Sequence, residues 1–403
     1  MKLIKLPLEF QKARIILEKI HNAGFEAYFV GGSVRDTLLG LPLHDVDIAT
    51  SAYPAEIKQI FRKTVDTGIE HGTVTVLDHG DDYEVTTFRT ESTYQDYRRP
   101  DSVQFVRSLK DDLKRRDLTI NALALSLNGE IIDLFGGLED LKKGLIKAVG
   151  NPNERYHEDA LRMMRTVRFA SQLDFEIETT TLEAVTNNAH LLEKIAVERI
   201  NVEWIKLLLG KNPKKGIVGF LDTKLFVYCP LFNTMEQVLK TMLSLEQLHF
   251  SDDVAAWTLF CYLALNDHKQ IRKLLKAWKC SNELIANVQS CFSALELLKT
   301  NQFNAWNLYT LGLPAFETAN LVANMLGFAR DIAAIQSNYE SLPIKNKKEL
   351  AVNGGNLIKD LQFTPGPLLG KVLAEIEKQV VCGKLKNELA SLEKAALKIK
   401  NNQ

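Results

Sequence analysis

The chain has no surplus of either charge: 50 Lys and Arg residues balance 50 Asp and Glu residues. That excludes a polybasic, histone-like protein, although nucleic acid is held by local patches rather than by the sum. Cysteine is sparse and odd in number, at 229, 261, 280, 291 and 382, with no Cys-x-x-Cys. All five stand among apolar or helical neighbours, so buried free thiols in a reducing compartment are expected. The longest apolar run, AAWTLFCYLAL at 255–265, is too short to span a bilayer and reads as a core helix. The N-terminal MKLIKLPLEFQKARIILEKI has charges scattered through it and no continuous apolar region. A signal peptide is therefore not expected, and the cytoplasm is the default address. No fixed-period repeat, low-complexity segment or heptad array occurs. Neither G-x-x-x-x-G-K-[ST] nor G-x-G-x-x-G is present, so neither a P-loop nor a dinucleotide fold is indicated.

Length predicts about two to four domains, and glycine marks where the architecture changes. Residues 1–150 hold 12 of the 22 glycines; the rest hold 10. The first part mixes strand and helix signals. AYFVGG predicts a strand running into a turn, and DVDIAT a second strand. GTVTVLD and YEVTTFR, joined by HGDD, predict a hairpin, as do NALALSL and EIIDLF around Asn128-Gly129. One helix is expected to open at Ser33 and another at Pro54 in PAEIKQIF. From residue 154 onward HEDALRMMRTVRFASQL, LLEKIAVERINVEWIKLLLG, DDVAAWTLFCYLAL and DIAAIQSNYESL repeat apolar residues at helical spacing. The lysine-rich end, GKLKNELASLEKAALKIKNNQ, reads as a solvated terminal helix.

The densest chemistry lies in YFVGGSVRDTLLGLPLHDVDIAT, Tyr28 to Thr50. On a strand, residues i and i+2 share a face, so Val46 points inward while Asp45 and Asp47 emerge together. Two like charges this close repel and shift each other's pKa. A divalent cation relieves that, and oxygen donors suit Mg²⁺, which takes one or two carboxylates plus substrate phosphates. A bare Asp-x-Asp is usually an exposed strand end. Here it follows Gly31-Gly32, where backbone approaches a ligand closely, a helix N-terminus with free N–H groups, and Arg35, which pairs with phosphate in a fork. His44-Asp45 alone suggests an HD phosphohydrolase, but the helical half shows no further His-Asp pair.

The pattern GG-x-VRD-x-LLG followed by D-x-D resembles the nucleotidyltransferase superfamily that includes DNA polymerase β. More narrowly it resembles the class II tRNA nucleotidyltransferases, the CCA-adding enzymes of bacterial type. The similarity continues through DYRRPDSVQFVRSLKDDLKRRDLTINALA, DLFGG and HEDALRMMRTVRFASQL to SLPIKNKKELAVNG, across essentially the whole chain. It implies an α+β chain: a polymerase-β-like nucleotidyltransferase head with a mixed sheet at 1–150, a helical neck for base recognition at 151–215, and a helical body and tail for tRNA at 216–403. Asp45 and Asp47 are implied to hold catalytic Mg²⁺, with Glu84 on a neighbouring strand as candidate third carboxylate. Gly32, Arg35 and Arg116 are implied to contact the nucleotide, and Asp117 the ribose. The segment 89–105 matches the flexible loop of enzymes that complete CCA. ATP, CTP and tRNA are the implied partners, with a second copy of the chain as a further candidate and no membrane.

Base choice is expected in HEDALRMMRTVRFA. Residues spaced by three wind around a helix by about 60° per step, so Asp159, Arg162, Arg165 and Arg168 form a stripe and cannot all meet one base. On charge pattern alone Asp159 and Arg162 read as an i, i+3 salt bridge. The resemblance gives a sharper reading. Cytosine and adenine share an amino donor beside a ring-nitrogen acceptor, whereas uracil and guanine present a carbonyl beside an N–H. A carboxylate next to an arginine matches the first pair and leaves polar groups unpaired against the second. The family motif E-D-x-x-R is matched by Glu158, Asp159 and Arg162, while Arg165 and Arg168 lie deeper, where arginine forks meet phosphate or ribose. Lys211, Lys214, Lys215 and the lysines after Lys384 are candidate tRNA contacts. The alternatives are a poly(A) polymerase, a CC- or A-adding relative, or a non-catalytic RNA-binding protein.

Overall fold

The computed structural model describes residues 1–401 apart from 4, 5, 44, 79, 92, 93, 96–98, 101, 102 and 266. They form two compact units, Met1–Leu243 and Ser244–Gln403. The first opens with α1 (Leu8–Asn22), whose Phe10, Ala13, Ile16, Leu17 and Ile20 recur at helical spacing and are all buried. Full burial of one large apolar side chain contributes about 1.5–3 kcal/mol, so packing of this stripe, rather than helix propensity, holds α1 in place. There follow β1 (Ala27–Val30), α2 (Gly32–Leu38), β2 (Ile48–Thr50), α3 (Pro54–Ile60), β3 (Thr64–Gly68), β4 (Thr73–Asp78) and β5 (Asp81–Thr87). Next come β6 (Arg89–Glu91), β7 (Tyr94–Gln95), β8 (Arg99–Pro100), β9 (Val103–Phe105), α4 (Leu109–Lys114), β10 (Leu123–Leu125), β11 (Ile131–Asp133), α5 (Gly137–Lys143) and β12 (Leu145–Ile146).

Seven strands make a mixed sheet in the order β11-β10-β1-β2-β5-β4-β3. Within it β2 and β5 run parallel and every other neighbouring pair is antiparallel. Both expected hairpins are present, β4 with β5 and β10 with β11. Along β5 Tyr83, Val85 and Thr87 are buried while Asp82 and Glu84 are exposed, the period of a half-covered strand. The covered face meets α1: the rings of Phe10 and Phe29 lie 4.6 Å apart, in a core shared with Ile48, Val74 and Val85.

The helical part of this unit comprises α6 (Pro152–Glu158), α7 (Leu161–Leu173), β13 (Glu176–Ile177), α8 (Thr179–Asn188), α9 (Val197–Leu208), α10 (Pro213–Asp222) and α11 (Glu236–Ser244). Its centre is the fully buried Trp204, against Phe220 at 5.1 Å and Phe232 at 5.5 Å. The short parallel pair β12 and β13, in register Leu145↔Glu176, joins the end of the α/β part to the helices. Nothing in the pattern of those four residues announced it.

The second unit is helical: α12 (Asp253–Ala264), α13 (Ile271–Ala277), α14 (Asn282–Thr300), α15 (Ala305–Leu311), α16 (Leu313–Met325), α17 (Ile332–Glu340), α18 (Gly354–Leu361), α19 (Pro367–Val381) and α20 (Leu389–Asn401). Side-chain caps by Asp252, Ser281, Asn304, Asp331 and Asn353 start five of them. The indoles of Trp257 and Trp278 pack 5.3 Å apart in its core. Among the described residues no helix is long and apolar enough to cross a membrane.

Three local expectations are corrected. The strand expected over DVDIAT starts only at Ile48. Its partner β1 ends at Val30, before Gly31 (φ 72°, ψ −137°) turns the chain away, so the last rung is Val30 N–H to Asp47 O at 3.0 Å. Ser33 does not cap α2. The helix begins one residue earlier behind Gly31, and the Ser33 hydroxyl donates to Val30 O at 3.0 Å. The single helix expected over HEDALRMMRTVRFASQL is two, broken at Asp159 (φ −135°, ψ 105°), whose carboxylate accepts from Leu161 N–H at 3.0 Å. An aspartate that bonds the backbone ahead of it competes with the helix and starts a new one.

The DLFGG motif shows what its glycines are for. The Asp133 carboxylate accepts from the N–H groups of Gly137 and Leu138, both at 2.9 Å, and so caps α5. A Cβ on Gly137 would run into the Thr119 carbonyl oxygen, with the carbonyl carbon only 2.9 Å away, whereas one on Gly136 would meet nothing within 4 Å. Backbone cannot yield as a side-chain tip does. Gly137→Ala is therefore expected to lower unfolding stability in urea by at least about 1–3 kcal/mol, and Gly136→Ala, strained only in φ, by about 1 kcal/mol. Equal losses in the two variants would contradict the collision.

Candidate active site

The first ingredient is the acid pair. Asp45 and Asp47 are exposed, while Val46 between them is half-buried and packs on the main core, as alternation requires. Continuing the parallel register Ile48↔Val85 by one step sets Asp47 level with Glu84. Glu84, Asp45 and Asp47 line one cavity of ≈ 440 Å³. Partial withdrawal of solvent raises the Asp47 carboxyl above the ordinary aspartate value; Asp45 adds to the rise and Arg116 opposes it. Among the described residues no three His, Cys, Asp or Glu groups close on a common point as a metal cage. Two adjacent carboxylates facing open space are instead the donor set of a hard divalent cation that takes its other oxygens from water and phosphate. His44, and with it the His-Asp reading, lies outside the described residues.

Asp47 also borders a second cavity of ≈ 600 Å³, which gathers Gly32, Arg35, Arg116, Asp159, Arg162, Arg165 and Arg168. Every residue expected to contact a nucleotide thus faces one cleft. Among the described residues its lining holds seven arginines and four carboxylates, a local positive excess inside a neutral chain. Gly31, rather than Gly32, is the tight glycine. A Cβ there would stand 3.0 Å from Arg116 Nη1 and 3.6 Å from Asp47 Oδ2, whereas one on Gly32 would meet only flexible tips at 3.6 Å and beyond.

Carboxylates and amides hold each guanidinium in place. Arg35 donates to Asp36 through Nε at 2.8 Å and Nη2 at 2.9 Å, and to Asn121 Oδ1 at 2.5 Å. Arg116 donates to Asp112 Oδ2 at 3.2 Å and to Asn121 O at 3.3 Å. Asp112 is 1% exposed, and although burial alone would raise its carboxyl, Arg115 and Arg116 hold it below the usual range. Arg165 reaches Asp117 Oδ2 at 2.6 Å, and Asn121 donates to the other oxygen at 3.0 Å. Asp117 thus lines the cleft with a protein donor on each of its oxygens. Arg168 lies 2.8 Å from Glu203. Burial pushes its guanidinium down to about 10, Glu203 opposes this and Arg165 adds to it. The Phe169 ring has the Arg168, Arg35 and Arg165 guanidinium carbons 3.8, 4.9 and 5.5 Å from its centre. So much convergent positive charge around one ring suits a polyphosphate.

Arg162 Nη1 meets Glu158 Oε2 at 2.6 Å, and Asp159 Oδ2 meets Arg199 Nη2 at 3.0 Å. Arg199 and Glu203 on α9, Asn121, Asp112 and Gly31 escaped the sequence reading. Asp112 and Asn121 at least flank the Arg-Arg-Asp motif; Arg199 carries no local signal, because its partner lies 40 residues away. In the segment 89–105, β6 pairs with β9 and β7 with β8. The rest of that expected loop lies outside the described residues. Of the candidate tRNA lysines, Lys215 is engaged by Glu176 at 2.7 Å and Asp174 at 3.2 Å.

Three family models tile the chain: a poly A polymerase head domain at 27–147, an RNA and SrmB-binding site of polymerase A at 174–235, and a tRNA nucleotidyltransferase domain 2 at 248–396. The CCA-adding enzyme of Ligilactobacillus salivarius is 56% identical over 98% of both chains. That of Enterococcus faecalis is 53% identical over 96% of both. The chain belongs to the CCA-adding enzymes. Its fold also matches the Bacillus stearothermophilus CCA-adding enzyme in complex with CTP, at 37% identity and a TM-score of 0.90 over 98% of this chain and 99% of that one.

The Asp117 pair makes a pH prediction. Burial raises this carboxyl, but Arg165 and Asn121 outweigh it and hold the group far below the usual range. A depressed folded pKa contributes stability that is fully present above the unfolded value, about 4, and lost as pH falls below it. Asp117→Asn is expected to cost about 1–3 kcal/mol at pH 7. It should also flatten the fall in stability between pH 4 and pH 2, relative to the parent. Urea denaturation across that range reads both, and an unchanged acid slope would contradict the assignment.

Proposed function

We propose that this protein completes the 3′ end of tRNA with C, C and A, from CTP and ATP, without a nucleic-acid template and with release of pyrophosphate. The observation that carries the reading is the shared cleft, which is lined by Asp47, by Asp159 and Arg162, and by a surplus of arginines. The head, 1–150, would be catalytic and the neck, 151–215, would read the base. The body and tail, 216–403, with Lys211, Lys214, Lys215 and the lysines after Lys384, would hold the tRNA, largely by phosphate and shape.

Asp45 and Asp47, with Glu84 as third candidate, would hold the metal, and Mg²⁺ fits their all-oxygen character. When bound, two such ions supply an activated 3′-oxygen and a clamp on the triphosphate. The protein's own residues do the rest. Gly31 keeps the approach to Asp47 and Arg116 open. Gly32, Arg35, Arg116, Arg165 and Arg168 present the nucleotide with backbone and charge-assisted donors. Asp159 accepts from the amino group of cytosine or adenine while Arg162 donates to the adjacent ring nitrogen. Uracil and guanine would set acceptor against acceptor and donor against donor. Free cysteines, four of them buried, suit a reducing cytoplasm. A second copy of the chain remains a candidate partner, and sedimentation of the free protein distinguishes monomer from dimer.

The test is to incubate the protein with tRNA ending at the discriminator base, CTP, ATP and Mg²⁺, then to sequence the 3′ ends. CCA ends support the reading; A-tails, or a stop at CC or A, would replace it with the corresponding relative. RNA binding without extension would make the protein a binding module. In the same assay Asp47→Ala is expected to lower extension by at least about 10³-fold, with tRNA affinity retained. Asp159→Ala should admit U and G at the expense of C and A while tRNA affinity changes little. Retained fidelity in that variant would remove Asp159 from base choice.

A further inference from the structure

Asn121 stands between two of the charges that shape the cleft. Its side-chain oxygen accepts from Arg35 Nη1 at 2.5 Å, and its side-chain nitrogen donates to Asp117 Oδ1 at 3.0 Å. The other oxygen of Asp117 accepts from Arg165 at 2.6 Å. A line of hydrogen bonds therefore runs from α2, through the turn at 119–121, to α7. The residues at its centre are buried: Arg35 is 5%, Asn121 6% and Asp117 9% exposed. Chemistry fixes the direction of the amide. A guanidinium can only donate and an ionised carboxylate can only accept, so the oxygen faces Arg35 and the nitrogen faces Asp117. Among short side chains, an amide alone keeps an acceptor and a donor on separate atoms.

The line does two things for the cleft. It gives Arg35 a neutral acceptor, so that the Asp117 charge is left to Arg165. Burial alone would raise the Asp117 carboxyl, and Arg165 and Asn121 together hold it ionised. It also fixes Arg35 on a second side. Asp36 accepts from Nε at 2.8 Å and from Nη2 at 2.9 Å, while Asn121 takes Nη1. Among the described residues these bonds use three N–H donors of Arg35. A guanidinium has five, so the rest are left for a ligand in the cleft that Arg35 lines. Arg35 and Arg165 also share the Phe169 ring, with guanidinium carbons 4.9 and 5.5 Å from its centre. Donors held in place before a ligand arrives lose little freedom when it binds.

We propose that Asn121 is a positioning residue for the triphosphate, which aims Arg35 into the cleft with a neutral acceptor and braces the aspartate that aims Arg165. This rests on the reading of Arg35 and Arg165 as contacts of the nucleotide. Asn121 itself touches no substrate atom. Its effect passes through the two guanidiniums, so it strengthens CTP and ATP alike and leaves the choice of base to other residues.

The experiment compares the full-length parent with Asn121→Ala, Asn121→Asp and Arg35→Ala, with Mg²⁺ throughout. KM and kcat are measured for CTP and UTP on tRNA ending at the discriminator base, and for ATP on tRNA ending in CC. Inorganic tripolyphosphate, which has the phosphates without base or sugar, is titrated as an inhibitor. Asn121→Ala is expected to raise KM for both CTP and ATP by about tenfold or more, because bonds to charged groups are the strong ones. The inhibition constant of tripolyphosphate should rise with them. The C-over-U ratio of kcat/KM and the affinity for tRNA should stay within about twofold of the parent, as for an independent site. Asn121→Asp keeps the shape but sets a second carboxylate beside Asp117, and it should raise KM as well. In Asn121→Ala, a KM for CTP or ATP within about twofold of the parent, a loss confined to kcat, a larger shift in the C-over-U ratio, or a parental inhibition constant overturns the proposal. If Asn121→Ala does not fold, a parental KM in Asn121→Asp overturns it too. Arg35→Ala with the parental KM shows instead that Arg35 does not meet the nucleotide, and is seen without any Asn121 variant.

Discussion

Asp117 and Arg165 meet across the join between the α/β part and the first long helix, and the cleft depends on that meeting. The carboxylate is 9% exposed, so it is held charged only because Arg165 and Asn121 face it. The same asparagine binds Arg35 through its side-chain oxygen and Arg116 through its backbone oxygen. One short turn at 119–121 thereby bonds two guanidiniums directly, Arg35 and Arg116, and through Asn121 it braces the aspartate that holds a third, Arg165. Remove the acid and a buried asparagine and a crowded arginine lose their common partner. Such pairs add little net stability compared with an apolar filling. Their value here is directional: they set where each cation points before any ligand arrives.

The rest of the cleft repeats that arrangement. Asp112 serves Arg115 and Arg116, Asp36 serves Arg35, Glu158 serves Arg162 and Glu203 serves Arg168. Arginines packed this closely repel, and the intervening carboxylates keep the assembly tolerable without cancelling it. Arg168 shows the residual tension, since burial and its arginine neighbours lower its guanidinium below the ordinary value. A polyanion entering the cleft would relieve what the protein's own acids leave uncompensated.

The parts legible in the sequence are those encoded by local pattern. Alternation gave the hairpins around Gly80 and Gly129, and Pro54 marked α3. The Asp-x-Asp was found, and its outward orientation was right although the strand begins only at Ile48. The break at Asp159 was missed because no glycine or proline signals it; a single side-chain bond to Leu161 N–H makes the corner. The same corner takes Asp159 off the helix that carries Arg162, so the i, i+3 spacing rule, which applies on one continuous helix, does not describe the pair. Gly31 and Gly32 looked equivalent, and only the approach of Arg116 and Asp47 separates them. Arg199 and Glu203 had nothing local to mark them, because their roles arise from how α9 packs against α7.

The neutral total carries a consequence of its own. Fifty cations equal fifty anions over the chain, yet the cleft lining holds three more arginines than carboxylates. The remainder must then carry the opposite excess. At physiological salt a field fades within about 8 Å, so an approaching polyanion feels not the whole molecule but the patch beneath it. Outside the cleft that patch is on average mildly repulsive. A protein with a large positive total would hold nucleic acid anywhere on its surface. This one, by keeping its sum at zero, leaves attraction to local patches, of which the arginine-rich cleft is one.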